Sequence, residues 1–455
     1  MVSQSPAGEE DAAVASPEPP PYEVACGRPV TGRVAVPGSK SFTQRYFNLA
    51  LLRRLPLIVR RPLVSEDTEQ FVQGLETCGF QVEASRDAWR LEPKDAATML
   101  NGPVGDRTGE IFCGAGGTMF RFMTAALTAI PGTWHLDGIE RLRERPVGPL
   151  IEALRQLGAE IRCPRNEGFA PLEIIGGSLR GGRCMLDAGV SSQFLSALLM
   201  AALAADDEVA IEVGALTSEP YVDLTLDAIA ELGGEVERTG NVFRVKPQPL
   251  RGGEVTVEAD YSAVAYPAAA AMLSGGRVLI EGLRSDSRQG DRRFVDLLER
   301  MGGRIHWRPE GLEVAAEALR AVDANLSQTP DQVPTLAALA PFAAGTTRIT
   351  GVPHLRIKES DRLSAMAQEL TRVGAQVEEL ADGLVIPGVW SDSSPPSNPV
   401  AVRTHGDHRI AMSMALVGLR RPGVAIHQPQ VVAKSYPRFW DDLDQLQGQG
   451  ADAVE

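Results

Sequence analysis

Cysteine is scarce in this sequence, and no two cysteines stand at the CxxC spacing. The chain has 455 residues, over which its five cysteines are scattered: Cys26, Cys78, Cys113, Cys163 and Cys184. A disulfide framework needs paired cysteines, and cysteine-based zinc sites need closely spaced ones. The pattern argues against both and is typical of a protein kept in a reducing cytosol, so we expect a cytoplasmic location.

Three further features are missing. The formal net charge is −14, so the surplus of positive charge that a nucleic-acid partner demands is absent. No GxxxxGK[ST] phosphate loop occurs. The apolar run 194–205 is shorter than the ~20 residues that a membrane helix needs, so no membrane partner is expected.

Residues 1–21 lack the basic start and the apolar run of a signal peptide. They are rich in Pro, Ala, Ser and Glu, a composition that predicts a disordered tail. The remaining length fits two large domains or about three domains of ~150 residues.

A repeated pattern runs through the rest of the chain. In each copy an amphipathic helix is followed by a glycine, an extended stretch, a polar turn and a second extended stretch. Five copies span 71–93, 150–176, 224–247, 294–314 and 363–387, with Gly79, Gly158, Gly233, Gly302 and Gly374 as the predicted helix caps. A sixth amphipathic helix is expected near 439–446.

A second type of helix, rich in Ala, Leu and Met, accompanies each copy. These helices are predicted to begin near Ser41, Gly117, Ser191, Ser262, Asp331 and His408. The unit is then strand, helix, strand, helix, strand, strand, with a period of roughly 70–79 residues that is too long for a solenoid. Because the second helices lack a polar face, we expect them to be buried, with the amphipathic helices outside.

A polar loop stands at the start of each apolar helix. The six loops are PGSKS (37–41), CGAGGT (113–118), VSSQF (190–194), ADYSA (259–263), TPDQVP (329–334) and HGDHR (405–409). Helix N-termini carry unpaired N–H groups and a positive dipole end, so they attract anions. If the copies are pseudo-symmetric, the six helix starts converge on one surface and predict an anion site.

The first of these loops carries the most charge. Ser39 or Ser41 is predicted to cap the helix that follows. Lys40 adds a mobile positive charge, and Arg45 adds a fork suited to phosphate or carboxylate one turn later. Taken alone, this segment is better explained as a capped helix with two solvated cations.

Taken together, these segments resemble the EPSP synthase (3-phosphoshikimate 1-carboxyvinyltransferase) family from about residue 30 to about residue 445. The motifs that carry the resemblance are PGSKS with Arg45, RERPVG (143–148), VSSQFLSALLMAA (190–202), KESDRL (358–363), GDHRIAM (406–412) and AKSYPRF (433–439). Each motif alone is weak, whereas the ordered set is highly specific.

The resemblance implies an α/β fold of the α+β type, the inside-out α/β barrel of enolpyruvyl transferases. Two globular domains would each contain three βαβαββ repeats, with the site in the cleft between them. Residues 22–38 with 258–450 would form the first, terminal domain, and 39–257 the second. The chain would cross between them near 36–39 and 255–260.

The reaction that the resemblance implies belongs to the shikimate pathway of aromatic amino acid (chorismate) biosynthesis. The enolpyruvyl group of phosphoenolpyruvate passes to the 5-hydroxyl of shikimate 3-phosphate, and phosphate is released. Both substrates are anions, which accounts for the density of cations. The resemblance implies these two small-molecule partners, no cofactor and no metal, and we expect a monomer.

Site residues are carried over by their match to the family motifs. Asp331 matches the proton acceptor, Glu359 with Lys434 the proton donor, and Lys40 a residue shared by both substrates. The phosphoenolpyruvate clamp is matched by Lys40, Gly117, Arg145, Gln193, Arg362, Arg409 and Lys434. The shikimate 3-phosphate site is matched by Lys40, Ser41, Arg45, Ser191, Ser192, Gln193, Ser218 and Tyr221, and His354 and Lys358 complete the substrate-binding set.

The chemistry requires these residue types. A hydroxyl must lose a proton while the vinyl carbon gains one, and a tetrahedral adduct must then reverse that pattern. Two carboxylates in different surroundings can divide the roles, each contributing ~10²–10⁴ in rate. The pair His405 and His408 is interpreted as structural or substrate-facing rather than as a metal site.

The sequence departs from the family pattern at Ala115, Phe122, His354 and Gly406. These positions lie near the acceptor ring and the phosphoenolpyruvate methylene, so a paralogous transferase with another phosphorylated cyclic acceptor is the alternative. A non-catalytic anion-binding scaffold is a third hypothesis. The presence of both predicted catalytic carboxylates, Asp331 and Glu359, argues against it. The related UDP-N-acetylglucosamine enolpyruvyl transferases carry Lys-Asn where this chain has Lys40-Ser41.

Overall fold

We describe a computed structural model of the chain, which covers residues 19–85, 87–94, 108–390 and 399–448. Most of the predicted N-terminal tail therefore lies outside the described residues. In the described part, no helix is both long and apolar enough to cross a membrane.

The described residues form six small sheets, five of which share one arrangement. In five of them the first strand pairs in parallel with the second, and the second pairs with the returning arm of an antiparallel hairpin. In order across each sheet, the strands are Gly253–Thr256, Leu57–Arg60, Ala88–Pro93 and Phe80–Ala84; Thr108–Phe112, Gly132–Asp137, Leu172–Gly176 and Glu160–Arg162; Gly182–Ala188, Val209–Leu216, Val242–Val245 and Glu237–Thr239; Thr31–Val34, Arg277–Glu281, Gly311–Ala316 and Gly303–Arg308; and Asp323–Asn325, Thr346–Thr350, Gly383–Pro387 and Glu378–Leu380.

The sixth sheet has three strands. Val400–Val402 pairs in parallel with Val424–Ile426, and Tyr22–Glu23 from the beginning of the chain pairs antiparallel with Val424–Ile426. The order of strands and helices predicted for the repeating unit is thus confirmed, with the hairpin of the last unit replaced by one N-terminal strand.

Two families of helices connect the strands, as predicted. The apolar, almost wholly buried helices are Lys40–Arg53, Gly117–Ala129, Gln193–Ala202, Tyr261–Ser274, Val333–Leu339 and His408–Gly418. The amphipathic helices are Glu66–Thr77, Gly148–Gln156, Pro220–Glu231, Arg293–Arg300, Arg362–Arg372 and Phe439–Leu446. Shorter helical turns are Glu140–Arg143, Gly290–Arg292, Pro330–Gln332, Ala340–Phe342, Pro353–Ile357 and Pro429–Lys434.

The glycines after the amphipathic helices explain where these helices end. Gly79, Gly158, Gly233, Gly302 and Gly374 have φ angles of 82°, 91°, 79°, 103° and 94°. Only glycine adopts this left-handed conformation without steric cost, so each position stops a helix and turns the chain into its hairpin.

Buried apolar side chains form two separate clusters. One is drawn from residues 42–257, and the other from residues 24–36 with 259–446. We call residues 39–257 the central half and residues 22–38 with 258–448 the terminal half. We propose that each cluster is the core of one of the two expected domains.

The chain passes between the halves through two short antiparallel segments. Ser39 N donates to Glu258 O at 2.7 Å, and Asp260 N donates to Pro37 O at 2.9 Å. At Gly38 an added Cβ would lie 2.0 Å from Arg61 O, so only glycine fits this crossing. The two segments therefore hold each other at the edge of the cleft between the halves.

Candidate active site

A cleft between the two halves collects the side chains singled out by the sequence. Its lining includes Lys40, Ser41, Arg45, Gly117, Arg145, Ser191, Ser192, Gln193, Ser218 and Tyr221 from the central half, and Asp331, His354, Lys358, Glu359, Arg362 and Arg409 from the terminal half. Lys434 lies just behind this lining, with its Nζ 3.9 Å from a Glu359 oxygen. The structure thus brings all the predicted residues together, while their roles stay predictions.

The helix Lys40–Arg53 starts at the cleft, but its predicted cap is wrong. Ser39 occupies the N-cap position without making a side-chain cap bond. Instead, the Asp260 carboxylate from the other chain crossing accepts from Lys40 N at 3.1 Å and from Ser262 N at 2.8 Å. One carboxylate thereby caps two helix starts, a contact between distant residues that local sequence rules do not reveal.

Lys40 is held by Asp67, a residue that the sequence analysis missed. The Lys40 Nζ lies 3.2 Å from Asp67 Oδ2, and Lys434 Nζ lies 3.7 Å from Asp67 Oδ1. Lys434 Nζ also donates to Ala115 O at 3.2 Å, so the loop CGAGGT (113–118) helps to hold Lys434 in place. Asp67 lies in the first turn of the amphipathic helix Glu66–Thr77, away from both lysines in sequence, so only the fold brings it to them.

Gly117 gives Arg145 its place in the cleft. A Cβ added to Gly117 would lie 2.6 Å from the Arg145 guanidinium, so any larger residue would displace it. Arg145 is 5% exposed, donates to Ala115 O at 3.4 Å, and leaves its buried Nε without a partner. A buried cation with so few acceptors is suited to an anionic ligand.

Arg362 is the centre of an ion network in the terminal half. Its three nitrogens donate to Asp407 Oδ2 at 2.7 Å, Asp331 Oδ1 at 2.9 Å and Glu359 Oε2 at 2.9 Å. Arg409 donates to the second Asp331 oxygen at 2.8 Å. Both predicted catalytic carboxylates are therefore fixed by arginine.

This network sets the charge of the two carboxylates. Burial alone would raise the pKa of Asp331, but Arg409, Arg362 and Lys358 outweigh it and hold the pKa below its usual range. Burial opposes ionisation of Glu359 in the same way, and Arg362, Lys434 and Arg145 keep its pKa well below the ordinary value. Both groups are ionised in the ligand-free protein at neutral pH.

Arg45 has a different environment. Its Nε donates to Thr225 Oγ1 at 2.8 Å, Nη1 to Ser41 O at 2.8 Å and Nη2 to Tyr221 O at 2.6 Å. Among the described residues it forms no ion pair with a carboxylate, and burial lowers its pKa to about 10. The Phe122 ring lies 5.4 Å from its guanidinium carbon, which gives this departure from the family pattern a cation–π role.

Arg121 is a second buried cation that the sequence analysis missed. It donates from Nη1 to Gln193 Oε1 at 2.5 Å, and Gln193 donates in turn to Thr118 Oγ1 at 2.9 Å. Burial, with Arg145 nearby, lowers the pKa of Arg121 to about 9. The helix position of Arg121 gave no sign that it would orient a residue from the next repeat.

His354 and Lys358 lie on the terminal side of the cleft. His354 is 9% exposed, its Nε2 has no partner, and burial together with Lys358 lowers its pKa to about 4. Burial lowers the pKa of Lys358 to about 8. At neutral pH the imidazole is therefore uncharged and the ammonium is charged.

Tyr221 reaches across the cleft to Asp291, another residue that sequence reasoning missed. Tyr221 Oη donates to Asp291 Oδ2 at 2.9 Å, and Ser262 Oγ donates to the same oxygen at 2.7 Å. Burial, reinforced by Asp331, raises the pKa of Asp291 to about 6.

The loop before His408 explains a further departure. Gly406 has a φ of 66°, a left-handed conformation that glycine and asparagine both tolerate. His405 Nε2 lies 3.0 Å from Glu369 Oε1. His408 is 1% exposed and forms no hydrogen bond through either ring nitrogen, and its Nδ1 lies 3.6 Å from Asp407 Oδ1. No group of three His, Cys, Asp or Glu side chains that could hold a metal occurs among the described residues.

Comparison with known proteins places this geometry in a family. The sequence profile described as EPSP synthase (3-phosphoshikimate 1-carboxyvinyltransferase) matches residues 24–443. A 3-phosphoshikimate 1-carboxyvinyltransferase from Syntrophobacter fumaroxidans is 43% identical over 429 residues, covering 92% of this chain and 98% of that protein. The protein of the same name from Methanothermobacter thermautotrophicus is 39% identical over 417 residues, covering 91% and 96%.

A solved structure has a similar fold. The EPSP synthase of Acinetobacter baumannii superposes with a TM-score of 0.75 at 26% sequence identity, covering 94% of this chain and 98% of that chain. The similarity therefore spans both halves and the cleft, and the α/β fold class predicted from the sequence is confirmed.

Proposed function

The chain belongs to the EPSP synthase (3-phosphoshikimate 1-carboxyvinyltransferase) family, and from that premise we propose how its cleft works. As an enzyme of this family it transfers the enolpyruvyl group of phosphoenolpyruvate to the 5-hydroxyl of shikimate 3-phosphate and releases phosphate. The observation that carries the assignment of its site is the meeting of Arg145, Arg362 and Arg409 with Asp331 and Glu359 in one cleft.

Both halves contribute residues that suit the two anionic substrates. We assign the phosphate and carboxylate of phosphoenolpyruvate to Lys40, Arg145, Arg362, Arg409 and Lys434, with Gly117 leaving room beside Arg145. Each charge-assisted bond contributes about 1.5–3 kcal/mol, so the cations dominate binding.

We assign shikimate 3-phosphate to the part of the cleft that is rich in hydroxyl groups. Its groups would be bound by Ser41, Arg45, Ser191, Ser192, Gln193, Ser218, Tyr221, His354 and Lys358. Arg45 supports this assignment because it is buried without a carboxylate of its own among the described residues, so an anionic ligand would complete its charge balance.

The addition step requires one proton to leave and one to arrive. Asp331, ionised and fixed by two arginines, accepts the proton of the 5-hydroxyl as its oxygen attacks C2 of phosphoenolpyruvate. The methylene carbon C3 takes a proton from Glu359 or from the neighbouring Lys434, and a tetrahedral adduct forms. Elimination returns the C3 proton to that donor while the C2–O bond to the phosphate breaks. The departing phosphate takes the electron pair of that bond and the proton held by Asp331, so both protein groups regain their starting states.

Glu359 must be protonated to act as the donor, although its pKa is low in the ligand-free protein. Its pKa is held down by Arg362, Lys434 and Arg145, the cations assigned to phosphoenolpyruvate. When the substrate anion neutralises these cations, burial of Glu359 is no longer offset and its pKa rises. Substrate binding thus prepares the proton donor.

A phosphate-release assay tests the proposed function. Phosphate should appear from phosphoenolpyruvate only when shikimate 3-phosphate is also present, and EPSP should form in equal amount. Release with another phosphorylated cyclic acceptor but not with shikimate 3-phosphate would contradict the assignment. We further propose a cytosolic location, since all five cysteines are free thiols, and, as a separate proposal, a monomer.

A further inference from the structure

We propose that Arg141 is a positioning residue that latches the central half to the cleft segment of the terminal half. This inference rests on the proposed function, because the latched segment carries Lys358 and Glu359. Arg141 lies in the short helix Glu140–Arg143, outside the lining of the substrate cleft and outside the set of site residues predicted from the sequence.

Across the gap between the halves, the hydrogen bonds of the Arg141 guanidinium to described residues all go to backbone carbonyls. Its Nε lies 3.1 Å from Lys358 O and 3.2 Å from Glu359 O, and its Nη2 lies 3.3 Å from Arg356 O. Three acceptors within four consecutive residues converge on one side chain. The contact therefore fixes the path of the segment's backbone independently of its side chains.

The position of these carbonyls explains why a cation is favourable there. They lie at and just beyond the end of the short helix Pro353–Ile357, where carbonyl groups lack helical partners. Such carbonyls interact favourably with positive charge. The planar fork of an arginine can reach several at once, which the single ammonium of a lysine cannot do.

The other end of the guanidinium is anchored in its own half. Arg141 Nη1 pairs with Glu144 Oε2 at 2.7 Å, and the side chain is 35% exposed. Glu144 thereby orients the fork toward the terminal half. Arg141 also borders a second cavity with Arg145 and Glu359, two residues that line the substrate cleft as well.

A latch that favours the assembled cleft has a distinct kinetic signature. Substrates bind only the fraction of molecules in which both walls are in place, so weakening the latch raises the apparent dissociation constants. Saturating substrate restores the assembled state, and turnover then returns. A residue that merely stabilised its own half would change the melting temperature without this pattern.

The test compares Arg141→Ala with the matched control Arg143→Ala. Arg143 lies in the same short helix, but it pairs with Asp137 at 2.7 Å and Glu140 at 3.5 Å, both in its own half. In Arg141→Ala we expect KM for phosphoenolpyruvate to rise about tenfold while kcat stays within about twofold of wild type. Arg141→Lys should recover part of the loss, and Arg143→Ala should match wild type.

Small-angle X-ray scattering provides a measurement that does not depend on activity. Without ligands, Arg141→Ala should have a larger radius of gyration than both wild type and Arg143→Ala, at an unchanged melting temperature. Equal radii and equal KM values for the two alanine variants would overturn the latch, as would a fall in kcat at unchanged KM. Inactivity of the wild type would instead refute the proposed function and leave the scattering comparison valid.

Discussion

The arginines on the two walls of the cleft, terminal and central, carry their positive charge in opposite ways. On the terminal wall, Arg362 and Arg409 are paired with carboxylates, and those partners raise the pKa of Arg409 although burial lowers it. On the central wall, Lys40 pairs with Asp67, but Arg45 and Arg121 have neutral acceptors, and burial lowers the pKa of each. The arginine–carboxylate pairs are in place before substrate arrives. The arginines without a carboxylate partner gain a negatively charged partner only when substrate binds.

This difference indicates that the arginine–carboxylate pairs serve the chemical step and that the arginines without a carboxylate partner serve substrate recognition. Carboxylates held by arginine have fixed positions and fixed charge, which suits groups that must accept and donate protons at defined atoms. Buried cations without carboxylate partners hold an electrostatic cost that an anionic ligand relieves. Changes to the paired arginines and their carboxylates should therefore act mainly on turnover and folding, and changes to Arg45 or Arg121 mainly on acceptor binding.

The largest effect is expected on turnover, from Asp331→Asn. The amide cannot accept the hydroxyl proton, so kcat should fall by about 10²–10⁴-fold in the phosphate-release assay. Asp323→Asn, an exposed change on a nearby strand, serves as the control and should leave kcat unchanged. Turnover within tenfold of wild type in Asp331→Asn would remove this residue from the chemistry.

Stability should distinguish the walls next. Arg362→Met leaves Asp331, Glu359 and Asp407 without their shared partner, so the free energy of unfolding should fall by about 3–5 kcal/mol. Arg45→Met leaves only neutral acceptors, at a cost of about 1–3 kcal/mol. Denaturant titration of both variants measures the difference, and equal losses would erase the contrast between the walls.

The pH dependence of acceptor use should follow Lys358. Because burial lowers its pKa to about 8, the ammonium is lost as pH rises through that value, and kcat/KM for shikimate 3-phosphate should fall on the alkaline side. Stability has the opposite sign: the unfolded lysine titrates near pH 10.4, so the unfolded state binds more protons between pH 8 and 10 and this group favours folding as pH rises.

The variant Lys358→Arg should remove that alkaline limb, because arginine stays charged throughout the range. The comparison needs kcat/KM profiles of both proteins between pH 6 and 10. An identical limb in the variant would assign the titration to another group.

The smallest effect is expected from His354→Asn, which restores the residue common in the family. The imidazole is neutral at pH 7 because its pKa is lowered to about 4, so the charge of the cleft does not change. Loss or gain of one neutral hydrogen bond is worth about 0.5–1.5 kcal/mol, or up to about tenfold in kcat/KM. If the pH profile of kcat/KM showed an ionisation between pH 5 and 7 in the wild type but not in this variant, it would contradict a neutral His354.

Local patterns in the sequence predicted most of the fold. The spacing of Gly79 and its four counterparts identified the repeats, because a left-handed helix cap leaves a mark at a single residue. Contacts between distant residues left no such mark. That Gly253–Thr256 supplies a strand to the sheet of Leu57–Arg60, and that Tyr22–Glu23 completes the sixth sheet, depends on how the repeats close around each half.

The candidate site shows the same division. Residues at the ends of helices and in the polar loops were found because motif and position coincide there, as at Lys40, Arg145 and Arg409. Asp67, Arg121 and Asp291 were missed because each touches a residue of another repeat, namely Lys434, Gln193 and Tyr221 in that order. The predicted capping serine at residue 39 or 41 failed for that reason, since Asp260 provides the bond from across the chain crossing.

The pairing of Thr31–Val34 with Arg277–Glu281, and of Tyr22–Glu23 with Val424–Ile426, has a consequence for biosynthesis. On the ribosome, the residues that emerge first must wait for partners translated much later, while the whole of 39–257 has already appeared and can fold. The nascent terminal strands therefore remain unpaired edges during most of translation, and the second core closes only after the last repeat leaves the exit tunnel.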